Sequence, residues 1–151
     1  MAGPMSRLED EAALRRTAEL YAAGADRRDK AIWARILTAG CVIEGPGFRT
    51  EGREANLGSI DLLARLFLKT RHRVHNQLVT IDGDRADGET YSTADHLSER
   101  DGGRALLCWA IRYQDKWRRE DGEWRFSHRT LIVDWEETRM LPALTAASAI
   151  A

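Results

Sequence analysis

Residues 70–91, TRHRVHNQLVTIDGDRADGETY, contain the clearest signal of the fold. Polar and apolar side chains alternate on both sides of IDGD, which carries an Asp-Gly pair of the kind favoured in tight turns. The pattern predicts a β-hairpin, with one strand over residues 71–81 and the next over residues 86–98.

The same turn chemistry recurs twice downstream, in ERDGG and in REDGE. These turns bound two further strands, over residues 104–118 and 123–135, and together the four strands predict an antiparallel meander. Upstream, CVIEG and FRTEG are short strand candidates, because a Gly-Pro-Gly cluster forces a turn between them.

Helical periodicity precedes the meander. The first helix is predicted from an apolar stripe made of Leu8, Ala12, Ala18, Tyr21, Ala22 and Ala25. Asp29 is placed to cap a second helix, which the TAG turn at residues 38–40 is expected to close. A third helix is predicted to begin near Ser59 or Asp61. Helices followed by hairpins indicate an α+β domain, in which one strongly curved antiparallel sheet wraps around the helices.

The chain has 151 residues, a formal net charge of -1, 43% hydrophobic and 31% charged residues, which is typical of one globular domain. Acidic and basic residues are interspersed, which argues against a nucleic-acid-binding surface. No apolar run approaches the roughly 20 residues of a membrane span, which predicts a cytoplasmic protein. Cys41 and Cys108 lack the spacing of a metal or redox site. We expect a flexible N-terminus over residues 1–7, a domain over residues 8–138 and a tail over residues 139–151.

The two histidines of TRHRVHN are candidates for a proton carrier or a metal clip. Because side chains alternate along a strand, one face is predicted to carry His72 together with Val74, Asn76 and Leu78. His75 is predicted on the other face, and histidines that point apart do not favour a shared metal ion, so no metal site is predicted. His72 is expected on the inner face, either as a general base or as a core histidine bonded to a backbone carbonyl.

Three stretches resemble the SnoaL-like branch of the nuclear transport factor two-like superfamily, namely LYAAGADRRDKAIW, TRHRVHNQLVTIDGDRADGETY and GEWRFSHRTLIVDW. The resemblance spans residues 8–138 and implies a cone-shaped α+β barrel that encloses a pocket. It also implies homodimers formed through the outer face of the sheet. Within this branch the chain is similar to a group of cofactor-independent lyases, which comprises bile-acid 7α-dehydratase, scytalone dehydratase and hexachlorocyclohexane dehydrochlorinase.

The resemblance to these lyases implies a catalytic set. His72 matches their histidine that projects into the cone, and Asp26 matches the aspartate that orients it. Tyr21 and Asp95 match a tyrosine and a second acidic residue of the bile-acid enzyme. The alternative roles for these two are a packed helix residue and a solvated carboxylate. His75 departs from the pattern, because relatives more often have a threonine there.

Three residues are candidates for substrate binding. Trp109 belongs to a pair of strands with enough aromatic bulk to fill a core or to line a ligand pocket. Asn76 is expected to bond a ligand or a neighbouring strand. Arg129 is expected to anchor an anionic group or to form a salt bridge.

The sequence therefore predicts a dehydratase-like, cofactor-independent lyase or isomerase that acts on a small hydrophobic polycyclic or aromatic molecule by His-Asp acid/base chemistry. Two alternatives stay open: a non-catalytic ligand-binding or dimerisation module, and the structural β subunit of a ring-hydroxylating dioxygenase. The expected partners are the small molecule and further copies of this chain, as a homodimer or higher homo-oligomer. No cofactor, metal, nucleic acid or membrane partner is expected.

Overall fold

The computed structural model describes residues 4–143, which form three helices and six strands. In chain order these are α1 (Pro4–Arg27), α2 (Lys30–Ile36), β1 (Leu37–Gly45), β2 (Phe48–Glu51), α3 (Arg53–Leu66), β3 (Lys69–Asp82), β4 (Arg85–Arg100), β5 (Gly103–Glu120) and β6 (Glu123–Leu141). The strands form one sheet in the order β2-β1-β6-β5-β4-β3.

The predicted α+β fold with a curved sheet is confirmed. β3 to β6 form the predicted antiparallel meander, and α1 packs against β3 and β6. Two details differ from the expected antiparallel barrel: β1 pairs with β6 in parallel, and β2 and β3 remain as open edges. The sheet is therefore a cone that does not close on itself.

Asp-Gly pairs form two of the three turns that the sequence predicts. Asp101 and Gly102 have φ values of 50° and 77°, and Asp121 and Gly122 have values of 52° and 77°. A positive φ at both central residues defines the type I′ turn, whose twist matches that of the flanking strands. Local chemistry therefore fixes both of these hairpins.

The junction of α1 and α2 depends on a glycine. The Trp33 ring stacks on Tyr21 at a centroid distance of 4.4 Å, and its Nε1 donates to the Tyr21 carbonyl oxygen at 2.9 Å. A Cβ at Gly24 would lie 2.4 Å from Trp33 Cδ1, so only glycine permits this contact. Gly24 lies within α1, which continues to Arg27.

The helix predictions need three corrections. In α1, Leu8 and Ala12 are exposed, whereas Leu14 and Thr17 are buried. The predicted apolar stripe is therefore wrong for the first part of the helix. Residues 38–40 are part of β1, because α2 passes directly into that strand. α3 begins at Arg53, earlier than predicted, because its first turn is polar and gives no apolar signal.

A β-bulge interrupts the pairing of β3 with β4. The register shifts between Val74 and Gln77, and Arg15 of α1 donates to the carbonyl oxygens of Val74 and His75. An extra residue in one strand moves the side chains beyond it to the opposite face. Asn76 is accordingly exposed and Gln77 points inward, so the predicted common face of His72 and Asn76 is wrong.

Other predictions concern the chain as a whole. No helix within residues 4–143 is long and apolar enough to cross a bilayer. The predicted domain limits, residues 8 and 138, fall inside α1 and β6, and part of the predicted tail lies outside the described residues. Cys41 and Cys108 are free, and burial raises the pKa of Cys41 to about 12.

Candidate functional site

Asp26 and His72 meet inside the cone, where the last turn of α1 lies against β3. His72 Nδ1 lies 2.6 Å from Asp26 Oδ1, and the His72 backbone N–H donates to Oδ2 at 2.8 Å. The Thr70 hydroxyl donates to Oδ1 at 3.0 Å. The predicted contact between His72 and Asp26 is therefore present.

The partners of the His72 ring define which nitrogen can react. An ionised carboxylate only accepts hydrogen bonds, so we assign the proton of the neutral ring to Nδ1. Nε2 then carries the lone pair. It makes no hydrogen bond to another described residue and is not enclosed by protein atoms. This is the tautomer that a general base requires.

The His72 ring lies next to a row of aromatic side chains. The His96 ring lies edge-on to His72 at a centroid distance of 6.1 Å, with Phe67 and Trp109 at 4.8 Å and 5.0 Å from His96. Trp109 is held by a hydrogen bond from its Nε1 to Glu136 at 2.8 Å. The rings offer a flat, mainly apolar surface beside a base.

His96 is a site residue that the sequence prediction missed. It lies opposite Thr70 in β3 and Leu107 in β5, on the inner face of the sheet. Its Nδ1 lies 3.2 Å from the Leu107 carbonyl oxygen, which leaves Nε2 free as an acceptor. Burial lowers the pKa of His96 from its ordinary value, although the Leu107 carbonyl opposes this shift. The ring is therefore kept neutral.

Asp95 does not join the site, which corrects the prediction. It pairs with Arg71 in β3, whereas His72 pairs with Ala94, so Asp95 lies on the outer face. There it accepts a hydrogen bond from Arg73 at 2.6 Å. Burial raises the pKa of Asp95, but the bonds from Arg73 and Cys108 prevail and hold it below its usual value. An ionised carboxylate on the far side of the sheet cannot protonate a leaving group next to His72.

Arg129 faces the interior, but its charge is already compensated. It is 1% exposed, and its Nε and Nη2 donate to Asp115 at 2.7 Å and 3.1 Å. Thr90 also donates to Asp115, at 2.8 Å, and accepts from Gln77 at 3.0 Å. Of its two predicted roles, the salt bridge is the one present.

Tyr21 belongs to the Arg129 cluster. The guanidinium lies over the rings of Tyr113, Phe126 and Tyr21 at 3.6 Å, 4.2 Å and 4.4 Å. Burial raises the pKa of Tyr21 well above its ordinary value and that of Tyr113 to about 12. Both phenols therefore stay protonated and can donate hydrogen bonds.

The remaining candidates lie away from His72. Asn76 is exposed, and His75 is exposed with its Nε2 2.7 Å from Thr93 Oγ1. Among residues 4–143, no three side chains of His, Cys, Asp or Glu come together as a metal site would require. A depression of about 640 Å³ opens on the outer face and contains none of the predicted site residues. The hydrophobic pocket at His72 stays a prediction.

Several solved structures share this fold. A protein of unknown function from Mycobacterium tuberculosis is 26% identical, with a TM-score of 0.76, over 99% of this chain and 82% of that chain. Hexachlorocyclohexane dehydrochlorinase LinA-type3 from Novosphingobium barchaimii is 17% identical, with a TM-score of 0.82, over 95% of this chain and 99% of that chain. A Novosphingobium aromaticivorans protein whose descriptive name is that of a scytalone dehydratase is 20% identical, with a TM-score of 0.77, over 92% and 93%. The likeness to the last two shows a common fold.

No curated protein matches the sequence. The profile of the SnoaL-like domain matches residues 6–130, which include most of α1, all of β3, β4 and β5, and the first part of β6. The chain therefore belongs to the SnoaL-like domain family.

Proposed function

We propose that this protein is a cofactor-independent lyase that eliminates a small molecule HX from a hydrophobic ring compound, with His72 as the base. The observation that carries the proposal is the His72–Asp26 pair at 2.6 Å, with the His72 ring 6.1 Å from the His96 ring, which in turn packs against Trp109. A base oriented by a carboxylate next to an apolar surface suits removal of a proton from carbon.

The proposed reaction starts with neutral His72. Its Nε2 takes a proton from a ring carbon, and the electrons of that C–H bond form the new C=C bond. The group X leaves the neighbouring carbon with the electrons of its own bond. Asp26 stabilises the imidazolium that forms. The proton on Nε2 then passes to the departed X or to water, which restores the neutral base.

Positioning of the leaving group falls to the inward-facing residues. Neutral His96 has a free Nε2 that can accept a hydrogen bond from a substrate hydroxyl and so orient it. Tyr21 and Tyr113 are protonated donors deeper in the interior. The Asp115–Arg129 pair adds no net charge, which favours an uncharged substrate.

The names of the structural relatives agree with this reaction type. A dehydrochlorinase removes hydrogen chloride and a dehydratase removes water, so both names denote elimination of HX. The family supports a lyase or isomerase in general terms, and the elimination and the ring substrate are our proposal.

The test is a screen of cyclohexanes and ring ketones that carry hydroxyl or chlorine next to an acidic C–H. Loss of water or of hydrogen chloride is followed by mass spectrometry. With any compound that reacts, His72→Gln should lower kcat/KM by on the order of 10² to 10⁴. Asp26→Asn should lower it at least about tenfold.

The matched control is His75→Gln, which removes a histidine three residues away on the outer face. It should retain the wild-type rate. Turnover that survives both His72→Gln and Asp26→Asn would end the proposal. Binding without turnover that is also unchanged in these variants would favour the non-catalytic binding module.

A further inference from the structure

The strongest unassigned feature is the set of groups behind Asp26. Arg28 Nη1 donates to the Thr70 hydroxyl at 2.8 Å and to the Ala25 carbonyl oxygen at 2.7 Å. The Thr70 hydroxyl in turn lies 3.0 Å from Asp26 Oδ1. One line of hydrogen bonds therefore runs from a cation to the carboxylate that holds His72.

The direction of each bond in this line is determined. A guanidinium has only donors, so Thr70 must accept from Arg28. The single hydroxyl proton of Thr70 is then left to point at Asp26 Oδ1, the same oxygen that faces His72 Nδ1. Arg28 thus fixes the hydroxyl as a donor to the carboxylate.

The backbone conformation of Arg28 and the burial of its side chain are both unfavourable. Its φ is 55°, in the left-handed region that favours glycine, and its Nη2 is buried with no hydrogen-bond partner. A residue other than glycine is strained in this region, and a buried donor without a partner is unfavourable as well. A residue kept under such strain is a candidate for a role at the neighbouring site.

We propose that Thr70 and Arg28 are positioning residues that draw negative charge off Asp26 Oδ1 and thereby weaken the attraction of Asp26 for the imidazolium form of His72. This inference deepens the proposed function and rests on it. The physical reason is that an oxygen shared by two donors, one of them polarised by a cation, attracts an imidazolium less strongly.

Besides His72 and Asp26 themselves, three neighbouring side chains can ionise, namely Arg28, His96 and Tyr113, and the charge of each interacts with that of Asp26. Asp26 comes from α1, His96 from β4 and Tyr113 from β5, which is close enough to Asp26 for their charges to interact. The region after α3 contributes the apolar ring of Phe67. Neutral His96 and protonated Tyr113 add no charge there, so the Thr70–Arg28 line is the main control on Asp26.

The first measurement needs no substrate. The ring of His72 is titrated by NMR in the intact protein, with His72→Gln used to assign its signals. Thr70→Val removes the hydroxyl and keeps the shape, and should move the titration midpoint to higher pH by about half a unit to one unit. Thr70→Ser should stay at the wild-type midpoint.

The matched control is Thr93→Val, which removes the hydroxyl that contacts His75 on the outer face. It should leave the His72 titration unchanged. Arg28→Met should move the midpoint in the same direction as Thr70→Val. Because Arg28 contacts the Thr70 hydroxyl and its charge also interacts with that of Asp26, the double variant should move the midpoint at least as far as Thr70→Val alone, and an unchanged midpoint in the double variant would overturn the proposal.

The second measurement uses any substrate that the screen supplies. The acidic limb of the kcat/KM profile should move to higher pH in Thr70→Val and not in Thr70→Ser. A limb or an NMR midpoint that stays fixed, or that moves to lower pH, would overturn the proposal, because it would mean that Thr70 only holds Asp26 in place. Since the NMR result does not depend on turnover, failure of the elimination screen would refute the proposed function and leave this inference separately testable.

Discussion

Asp115→Asn is expected to destabilise the protein strongly, because it leaves a buried guanidinium without its counter-ion. Asp115 and Arg129 lie directly opposite each other on β5 and β6 and are 2% and 1% exposed. Two donors, Nε and Nη2, share the two carboxylate oxygens. Removal of one partner of a buried pair costs about 3 to 5 kcal/mol.

For Asp115→Asn, the loss in the free energy of unfolding should be near the lower end of this range. Asparagine keeps the shape and one acceptor oxygen, and the rings of Tyr113 and Phe126 remain against the guanidinium at 3.6 Å and 4.2 Å. We therefore expect a fall of about 3 kcal/mol in the free energy of unfolding. Domains of this size are stable by about 5 to 15 kcal/mol, so the variant should fold with a much smaller margin.

The assay is urea denaturation followed by tryptophan fluorescence. The control is Asp134→Asn, which breaks a similar two-bond contact with Arg112, at 2.8 Å for each bond, on the solvent-exposed part of the same strands. That variant should change the free energy of unfolding little. Replacing both buried partners, as Asp115→Leu with Arg129→Met, should recover most of the loss. Equal destabilisation by Asp115→Asn and Asp134→Asn would refute the reasoning.

Two further predictions concern packing and pH. Gly24→Ala places a Cβ 2.4 Å from Trp33 Cδ1 and should lower the free energy of unfolding by about 1 to 3 kcal/mol. Gly58 lies in α3, and a Cβ added there has no atom within 4 Å, so Gly58→Ala should raise the free energy of unfolding by up to about 1 kcal/mol. Both variants are compared with wild type by thermal denaturation, and a shift of Tm in the same direction for both would contradict these expectations. Burial lowers the pKa of His96 in the folded protein. On acidification the His96 ring of the unfolded chain is therefore protonated first, near pH 6.5. The free energy of unfolding should fall from about pH 6.5 down to the lower pKa of His96 in the folded protein. His96→Asn should flatten this slope in urea titrations at several pH values, and His75→Asn should not; identical slopes in all three proteins would exclude the effect.

The sequence predicts the hairpins well because their signals are local. Two of the three turns are set by Asp-Gly pairs and the first by Gly83 and Asp84, and the strands beside them alternate visibly between polar and apolar residues. The contact of His72 with Asp26 came from a resemblance to the family, not from periodicity. No local pattern joins residues on α1 and β3.

The resemblance to the bile-acid enzyme predicted Asp95 at the site, and the register of β3 with β4 explains why Asp95 lies away from His72. From the turn at Asp82 and Arg85 to the pair Gln77 and Thr90, the register is regular. Continued without a break, that register would pair His72 with Asp95. The bulge shifts the pairing by one residue, so that His72 faces inward and Asp95 stays outside.

The bulge, and the identity of Asp115 as the buried partner of Arg129, could not be predicted from the sequence because both depend on contacts between distant segments. Arg15 holds the bulge from another element, through the carbonyl oxygens of Val74 and His75. Asp115 and Arg129 are brought together by the pairing of β5 with β6. From the sequence alone, Arg15, Asp115 and Arg129 resemble ordinary surface charges.

The most direct test of His72 as a base is proton exchange at carbon. A ring ketone without a leaving group is incubated with the protein in deuterium oxide, and loss of its acidic C–H signal is followed by NMR. Wild type and His75→Gln are expected to catalyse the exchange, and His72→Gln is expected to be inactive. Exchange at the wild-type rate by His72→Gln would contradict the account.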